Sequence, residues 1–150
     1  MPKVDLDSLP TFDGPAAVSR YGGDLGHYIG RAVSDHHGMT HLGANIETLS
    51  PGARSSHQHW HDTNDELVVI LSGALYVLEE GAETPLAAGD VAVFPAGVAN
   101  GHCLENRSAL PATFLAVGTR LPNDTCHYPD LDLILKPDGS LARRDGSPPE

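Results

Sequence analysis

The sequence predicts an all-β domain, a sandwich or barrel of jelly-roll type, on three observations. Its strand-like runs are short. Each is bounded by turn residues, with 16 Gly and 12 Pro spread along 150 residues. No apolar stripe of helical period lasts beyond a turn or two. A chain of this length can bury a sizeable core in one domain without staples.

In chain order, residues 1–40 are expected to form an N-terminal arm lying on the barrel or on a partner subunit, being rich in Pro, Asp and Gly and weak in periodicity. Within it, Ala16-Ala17-Val18-Ser19-Arg20-Tyr21 reads as a short strand or one helical turn. His36-His37 reads as a solvent-exposed loop pair, because neighbours in an extended segment point to opposite faces and cannot share a ligand. The barrel itself is expected over 41–135. His41 to Leu49 reads as a strand with Leu42, Ala44, Ile46 and Thr48 on one face, ended by the Pro51-Gly52 turn.

The run Leu67 to Leu71 is apolar on both faces and must be covered on both sides. Ala74 to Glu79, a turn at Glu80-Gly81-Ala82-Glu83, and Thr84 to Ala87 read as a hairpin. Strands follow at Val91–Phe94, His102–Asn106 and Ala112–Thr119, making roughly eight, the number a jelly roll needs. Asn123 to Leu135 is too apolar for a free tail, and its alternating Leu131, Leu133 and Leu135 suit an edge strand. Residues 136–150, rich in Pro, Gly and charge, are expected as an exposed C-terminal tail.

The chemistry concentrates at His57-Gln58-His59-Trp60-His61. Strand alternation puts the three histidines on one face and Gln58 and Trp60 on the other. The turn formers Asp62-Thr63-Asn64-Asp65 then bring Glu66 back beside them. That is a metal-site pattern on a β-hairpin.

Charge and composition exclude other classes. A formal net charge of −11 with nine scattered Lys and Arg argues against nucleic acid as a partner. No run has signal-peptide order or approaches the length of a membrane span, so the cytoplasm is the expected location. Cys103 and Cys126 are too few for a disulfide framework and read as reduced thiols. No phosphate-cradling Gly loop, nucleotide fingerprint or Ser-His-Asp arrangement is present.

The chain resembles a single-domain cupin, whose two motifs are G-x5-H-x-H-x3,4-E-x6-G and G-x5-P-x-G-x2-H-x3-N. His59-Trp60-His61, Glu66 and Gly73 fit the first, although six residues rather than five separate Gly52 from His59. Gly89, Pro95-Ala96-Gly97, His102 and Asn106 fit the second, with a loop from Gly97 to His102 longer by two residues. The opening PGxxSSxxHxH and the segment Cys126 to Asp132 are similar to a bacterial cupin group mostly of unassigned function, and the resemblance spans about residues 40 to 146.

The resemblance implies a double-stranded β-helix, the jelly-roll barrel of cupins, with His59, His61, Glu66 and His102 holding a divalent transition metal. Three neutral imidazoles and one carboxylate suit Zn, Fe, Mn, Ni or Cu and leave positions for water or substrate. His57 reads as a pocket or supporting residue rather than a fifth ligand. The candidates for proton handling or ligand contact are His57, Glu66, Tyr76 and Arg54. Trp60 and Cys103 read as packing residues, Asn106 as a loop support, and Arg120 and Tyr128 as closing one end of the barrel by family analogy.

The expectation is a metal-dependent enzyme acting on a small polar metabolite bound in the barrel, of dioxygenase, isomerase or lyase type. The alternatives are a binding module for a sugar or organic acid and a structural barrel stabilised by its ion. The apolar faces of the Leu67–Leu71 strand suggest a homodimer in each case.

Overall fold

The computed structural model describes residues 3–14 and 19–150. Thirteen strands form the framework of these residues: β1 (Thr11–Gly14), β2 (Tyr28–Ala32), β3 (Leu42–Leu49), β4 (Trp60–His61), β5 (Glu66–Ser72), β6 (Ala74–Glu79), β7 (Ala82–Ala87), β8 (Val91–Phe94), β9 (His102–Glu105), β10 (Ala112–Thr119), β11 (Cys126–Tyr128), β12 (Leu133–Leu135) and β13 (Leu141–Arg143). Of the segment read as a strand or helical turn, Ala16, Ala17 and Val18 lie outside the described residues, and Ser19–Gly22 form one helical turn.

Three antiparallel sheets result, in the orders β1-β2-β3-β10-β5-β8, β7-β6-β9 and β13-β12-β11-β4. The first two enclose the barrel. Leu49, Ile70 and Phe114 from the large sheet meet Leu75, Val77 and Leu104 from the three-stranded one in a single core cluster. Burying a side chain of this size contributes about 1.5–3 kcal/mol. The third sheet packs a smaller core of Cys126, Tyr128 and Leu133 at one end.

The segment 1–40 adds two strands to the main sheet: β2 pairs with β3 from Tyr28↔Leu49 to Ala32↔Asn45, and β1 pairs with β2. The segment 136–150 is mostly exposed, yet β13 pairs with β12. β12 is therefore an inner strand rather than an edge. At the β5–β6 corner Gly73 has φ 77°, and a Cβ there would stand 2.8 Å from that of Ala112, so the sharp turn needs a residue without one.

A second expectation is corrected. The histidine strand and the Glu66 strand are not a hairpin: β4 pairs with β11, whereas β5 lies between β10 and β8. The connection 62–65 passes from one sheet to another, because Asp124, just before β11, accepts hydrogen bonds from the Thr63 and Asn64 amides and holds that turn against the third sheet.

The two faces of the large sheet differ in kind. Gly43, Asn45, Glu47 and Leu49 of β3 share the inner face with Val68 and Ile70 of β5, and Leu42, Ala44, Ile46 and Thr48 point outward. The outward face continues through Leu67, Val69 and Leu71 to Val91 and Val93, and Val93 is 64% exposed. Among the described residues, no helix is long and apolar enough to cross a membrane.

Candidate metal centre

Four side chains from four places in the chain converge inside the barrel. His61 ends β4, Glu66 begins β5 and His102 begins β9. His59 is fixed opposite His102 by two reciprocal backbone hydrogen bonds of 3.1 and 2.9 Å. That bridge answers the longer loop before His102: Gly97 donates to the His61 carbonyl, and Asn100 ties the loop to Glu79 and Glu80. The two additional residues are absorbed without moving the histidine off the cluster.

Glu66 is the centre of the arrangement. Its carboxylate lies 3.5 Å from His59 Nε2, 3.5 Å from His61 Nε2 and 3.0 Å from His102 Nε2, which donates to it. One ligand atom each from His59, His61 and Glu66 fall within 4.8 Å of one another, a spacing that suits one ion. His102 is outside that mutual group and reaches it through Glu66.

The far sides of the rings are fixed as metal-binding imidazoles require. His61 Nδ1 donates to Asp124 at 2.6 Å, and His59 Nδ1 donates to the His57 carbonyl at 3.0 Å. Each leaves its Nε2 facing Glu66. Phe94 stacks on the His102 ring with centroids 3.6 Å apart and holds its plane. The donor set and its supports therefore fit a divalent transition metal.

Electrostatics follow from this packing. Burial raises the Glu66 carboxyl, but hydrogen bonds from His102, His59 and His61 outweigh it and hold the group far below its ordinary value. Burial holds His102 below the usual histidine range, which keeps it in the neutral form a metal needs. For His61, burial is outweighed by hydrogen bonds with Cys126 and Glu66, pushing it up to about 11. An arriving ion would have to displace that proton.

The cluster faces a cavity of about 310 Å³, lined on its other walls by Tyr28, Asn45, Glu47, Asn64, Thr119 and Arg120. The His59 and His61 side chains are 17% exposed and Glu66 29%, so the site communicates with solvent. Arg120 is the one Lys or Arg of that lining, and its guanidinium donates to Asp35 and Ser34.

The remaining candidates lie elsewhere. His57 does not line that cavity; it lies in a second one, which shares His59 and His61 with the first and is otherwise walled by residues that include Leu25, Cys126, Tyr128 and Leu135. Its Nε2 is buried without a hydrogen-bond partner, and burial lowers its pKa. Its backbone carbonyl, rather than its ring, supports His59. Arg54 pairs with Glu105 at 2.5 Å, and Arg107 covers the Tyr76 ring, 4.6 Å from its centroid. Neither Arg54 nor Tyr76 lines the cavity.

His36 and His37 are exposed, His37 bonding the Val33 carbonyl. Trp60 stacks on His127, with centroids 3.9 Å apart. Cys103 is a buried thiol, pushed up to about 11 by burial. Asn106 is fully buried and donates to the Leu49 and Leu110 carbonyls.

Sequence reasoning missed two groups, Asp124 and Glu47. Nothing local marks Asp124, whose partner His61 is 63 residues away. Glu47 carried a signal, being a carboxylate alternating with apolar residues inside a strand, but the apolar face of β3 drew the reading to its other side.

Comparisons with known proteins agree with this geometry. The family model described as Cupin domain matches residues 45–118. The structure is similar to that of a sugar phosphate isomerase of the cupin superfamily from Silicibacter pomeroyi, with a TM-score of 0.86 and 38% identity over 99% of this chain and 97% of that one. A putative sugar phosphate isomerase from Acidithiobacillus ferrooxidans is similar at TM-score 0.72 and 28% identity, over 77% of this chain and 74% of that one. A predicted oxalate decarboxylase from Thermotoga maritima shares the fold at TM-score 0.65 and 24% identity, over 79% of this chain and 99% of that one. No curated protein matches.

Proposed function

The chain belongs to the cupin superfamily, and from that premise we propose that it is a metal-dependent isomerase of a small phosphorylated sugar, with His59, His61, Glu66 and His102 as ligands of one divalent transition metal. The observation that carries this reading is the solvent-connected cavity, with three imidazoles and a carboxylate on one wall and a single guanidinium on another. Likeness to the Silicibacter pomeroyi protein over nearly the whole of both chains favours an isomerase over the other chemistries known among cupins.

Zn, Fe, Mn, Ni and Cu all suit the donor set. A bound ion would polarise a carbonyl and the hydroxyl beside it, which acidifies the carbon-bound proton between them. The chain's own residues do the rest. Arg120 attracts the phosphoryl group, Asn64 and Thr119 offer hydrogen-bonding groups on the same wall, and Phe94 and Phe114 keep water off the ligand's apolar side. A purely stabilising ion fits the site less well, since Glu66 is 29% exposed and the cavity stands open before it.

The test is elemental analysis of protein purified without chelator, followed by NMR of glucose 6-phosphate, mannose 6-phosphate and ribose 5-phosphate incubated with it in D2O. About one ion per chain is expected, with aldose–ketose interconversion that stops on chelation. Arg120→Ala should raise KM for the phosphorylated sugar while leaving the metal in place. A protein that takes up no metal on reconstitution would sink the proposal.

A second copy of the chain is the proposed cover for the outer sheet face, where Ile29, Leu42, Leu71, Val91 and Val93 are exposed together. Two acidic chains repel, and this apolar face is where that repulsion is most easily overcome. Free Cys103 and Cys126 suit a reducing cytoplasm.

A further inference from the structure

Strand β3 carries a carboxyl group for which the metal centre has no use. Glu47 is 9% exposed and lines the same cavity as the cluster. Its one hydrogen bond is long, from Asn45 Nδ2 at 3.4 Å, and among the described residues no Lys or Arg forms an ion pair with it. A carboxylate buried without a cation is costly, so a position that keeps one needs a reason.

The cross-strand neighbours of this carboxyl offer it no polar group. Its partner on β10 is Phe114, and its partner on β2 is Gly30, whose missing side chain leaves space occupied by the Phe12 ring. Toward the cluster the inner face narrows to Ala116 and Gly118, opposite Asn45 and Gly43. Small residues there leave open space between Glu47 and Glu66.

We propose that Glu47 is the residue that moves a proton on the bound ligand, which lies in the cavity between it and the cluster of His59, His61, Glu66 and His102. This rests on the isomerase reading above. With an aldose, the Glu47 carboxylate takes the proton from C2. The C2–H electron pair becomes the C1–C2 double bond, and the C1 carbonyl pair moves to O1. Glu47 then returns its proton to C1 as O1 takes the proton given up by O2 and the C2 carbonyl forms. One hydrogen has moved from C2 to C1 and one from O2 to O1, with no oxidant or reductant.

The groups facing Glu47 are Tyr28 from β2, Asn45 from its own strand, Glu66 from β5 and His59 from the loop before β4. Burial outweighs the lowering hydrogen bond from Asn45 and, with Glu66 raising and His59 lowering, pushes the Glu47 carboxyl up to about 7. A group titrating there can both accept and return a proton near neutrality.

The test compares zinc-loaded wild-type protein with Glu47→Gln and Glu47→Asp. Glu47→Gln should keep its zinc and its KM but lose about 10²- to 10⁴-fold in kcat and in deuterium uptake at C2, with partial recovery in Glu47→Asp. Glu47→Gln within about threefold of wild type would overturn the inference while leaving the isomerase reading intact.

If the wild type converts none of the three sugar phosphates, the isomerase reading fails. The Glu47 side-chain carboxyl carbon, observed by NMR in glutamate-labelled protein and identified by its loss in Glu47→Gln, then decides the contact. A signal that moves when glucose 6-phosphate is added sustains the placement of ligand against Glu47. A signal that stays fixed overturns it.

Discussion

Replacing Glu47 by Gln should stabilise the protein at alkaline pH and leave it unchanged in acid. The folded carboxyl titrates at about 7, against an ordinary value of 4.5 in the unfolded chain. Because the folded value is the higher one, the neutral acid carries no penalty below pH 4.5, and stability declines as pH rises from there to about 7. Over that window the unfolded chain releases a proton that the folded chain retains. At about 1.4 kcal/mol per pH unit the loss comes to about 3 kcal/mol.

Glutamine has nearly the shape of the neutral acid and cannot ionise, so it removes the slope. In a chain of this length that corresponds to about 6–12 °C in Tm at pH 8, and to little at pH 4.5. Thermal melts or urea titrations of chelator-treated wild type and variant across that range make the comparison. Titrations of His61, His102 and the surface groups occur in both proteins and cancel in the difference. Parallel stability curves would mean that Glu47 ionises as a solvated carboxylate does, and would refute the burial argument. A real gain in stability on removing this group would identify it as one kept at the expense of the fold.

Three further outcomes follow from the geometry. His59→Ala and His102→Ala should each strip most of the metal measured by elemental analysis, whereas His57→Ala, which keeps the carbonyl that holds His59, should retain it. Asp124→Asn should weaken metal affinity by about 10- to 100-fold in competition with a chelator, because His61 loses the carboxylate that orients it at 2.6 Å. Val93→Lys, which puts a charge on a residue 64% exposed on the edge strand β8 of the outer apolar face, should shift the sedimentation coefficient from dimer to monomer. An unchanged oligomer would place the interface elsewhere.

The all-β class and most strand positions could be read from the sequence because turn residues bracket each short run and because strand polarity is local information. The expected strand at His41–Leu49 appears as Leu42–Leu49, and those at Val91–Phe94 and Ala112–Thr119 keep their bounds. That His59, His61, Glu66 and His102 would converge was legible for a different reason. Metal chemistry restricts which residues can serve, and their spacing is a pattern that survives the lengthened loop before His102.

Tertiary structure alone decided what surrounds them. Leu42, Ala44 and Ile46 look like core residues, yet they face outward while Asn45 and Glu47 face the cavity. Both faces of this sheet are covered with apolar groups in places, so hydrophobicity could not say which was inside. The hairpin expected between the histidines and Glu66 failed because Asp124, 63 residues after His61 and just ahead of β11, fastens the connecting turn to the third sheet. His57 shares its parity with His59 and His61, yet it has no strand partner as His59 has in His102, and its ring lines only the second cavity. Local pattern determined which residues could bind an ion and where strands run. Contacts between residues far apart in the chain determined which carboxyl was buried without a partner, and burial is what gives Glu47 its chemistry.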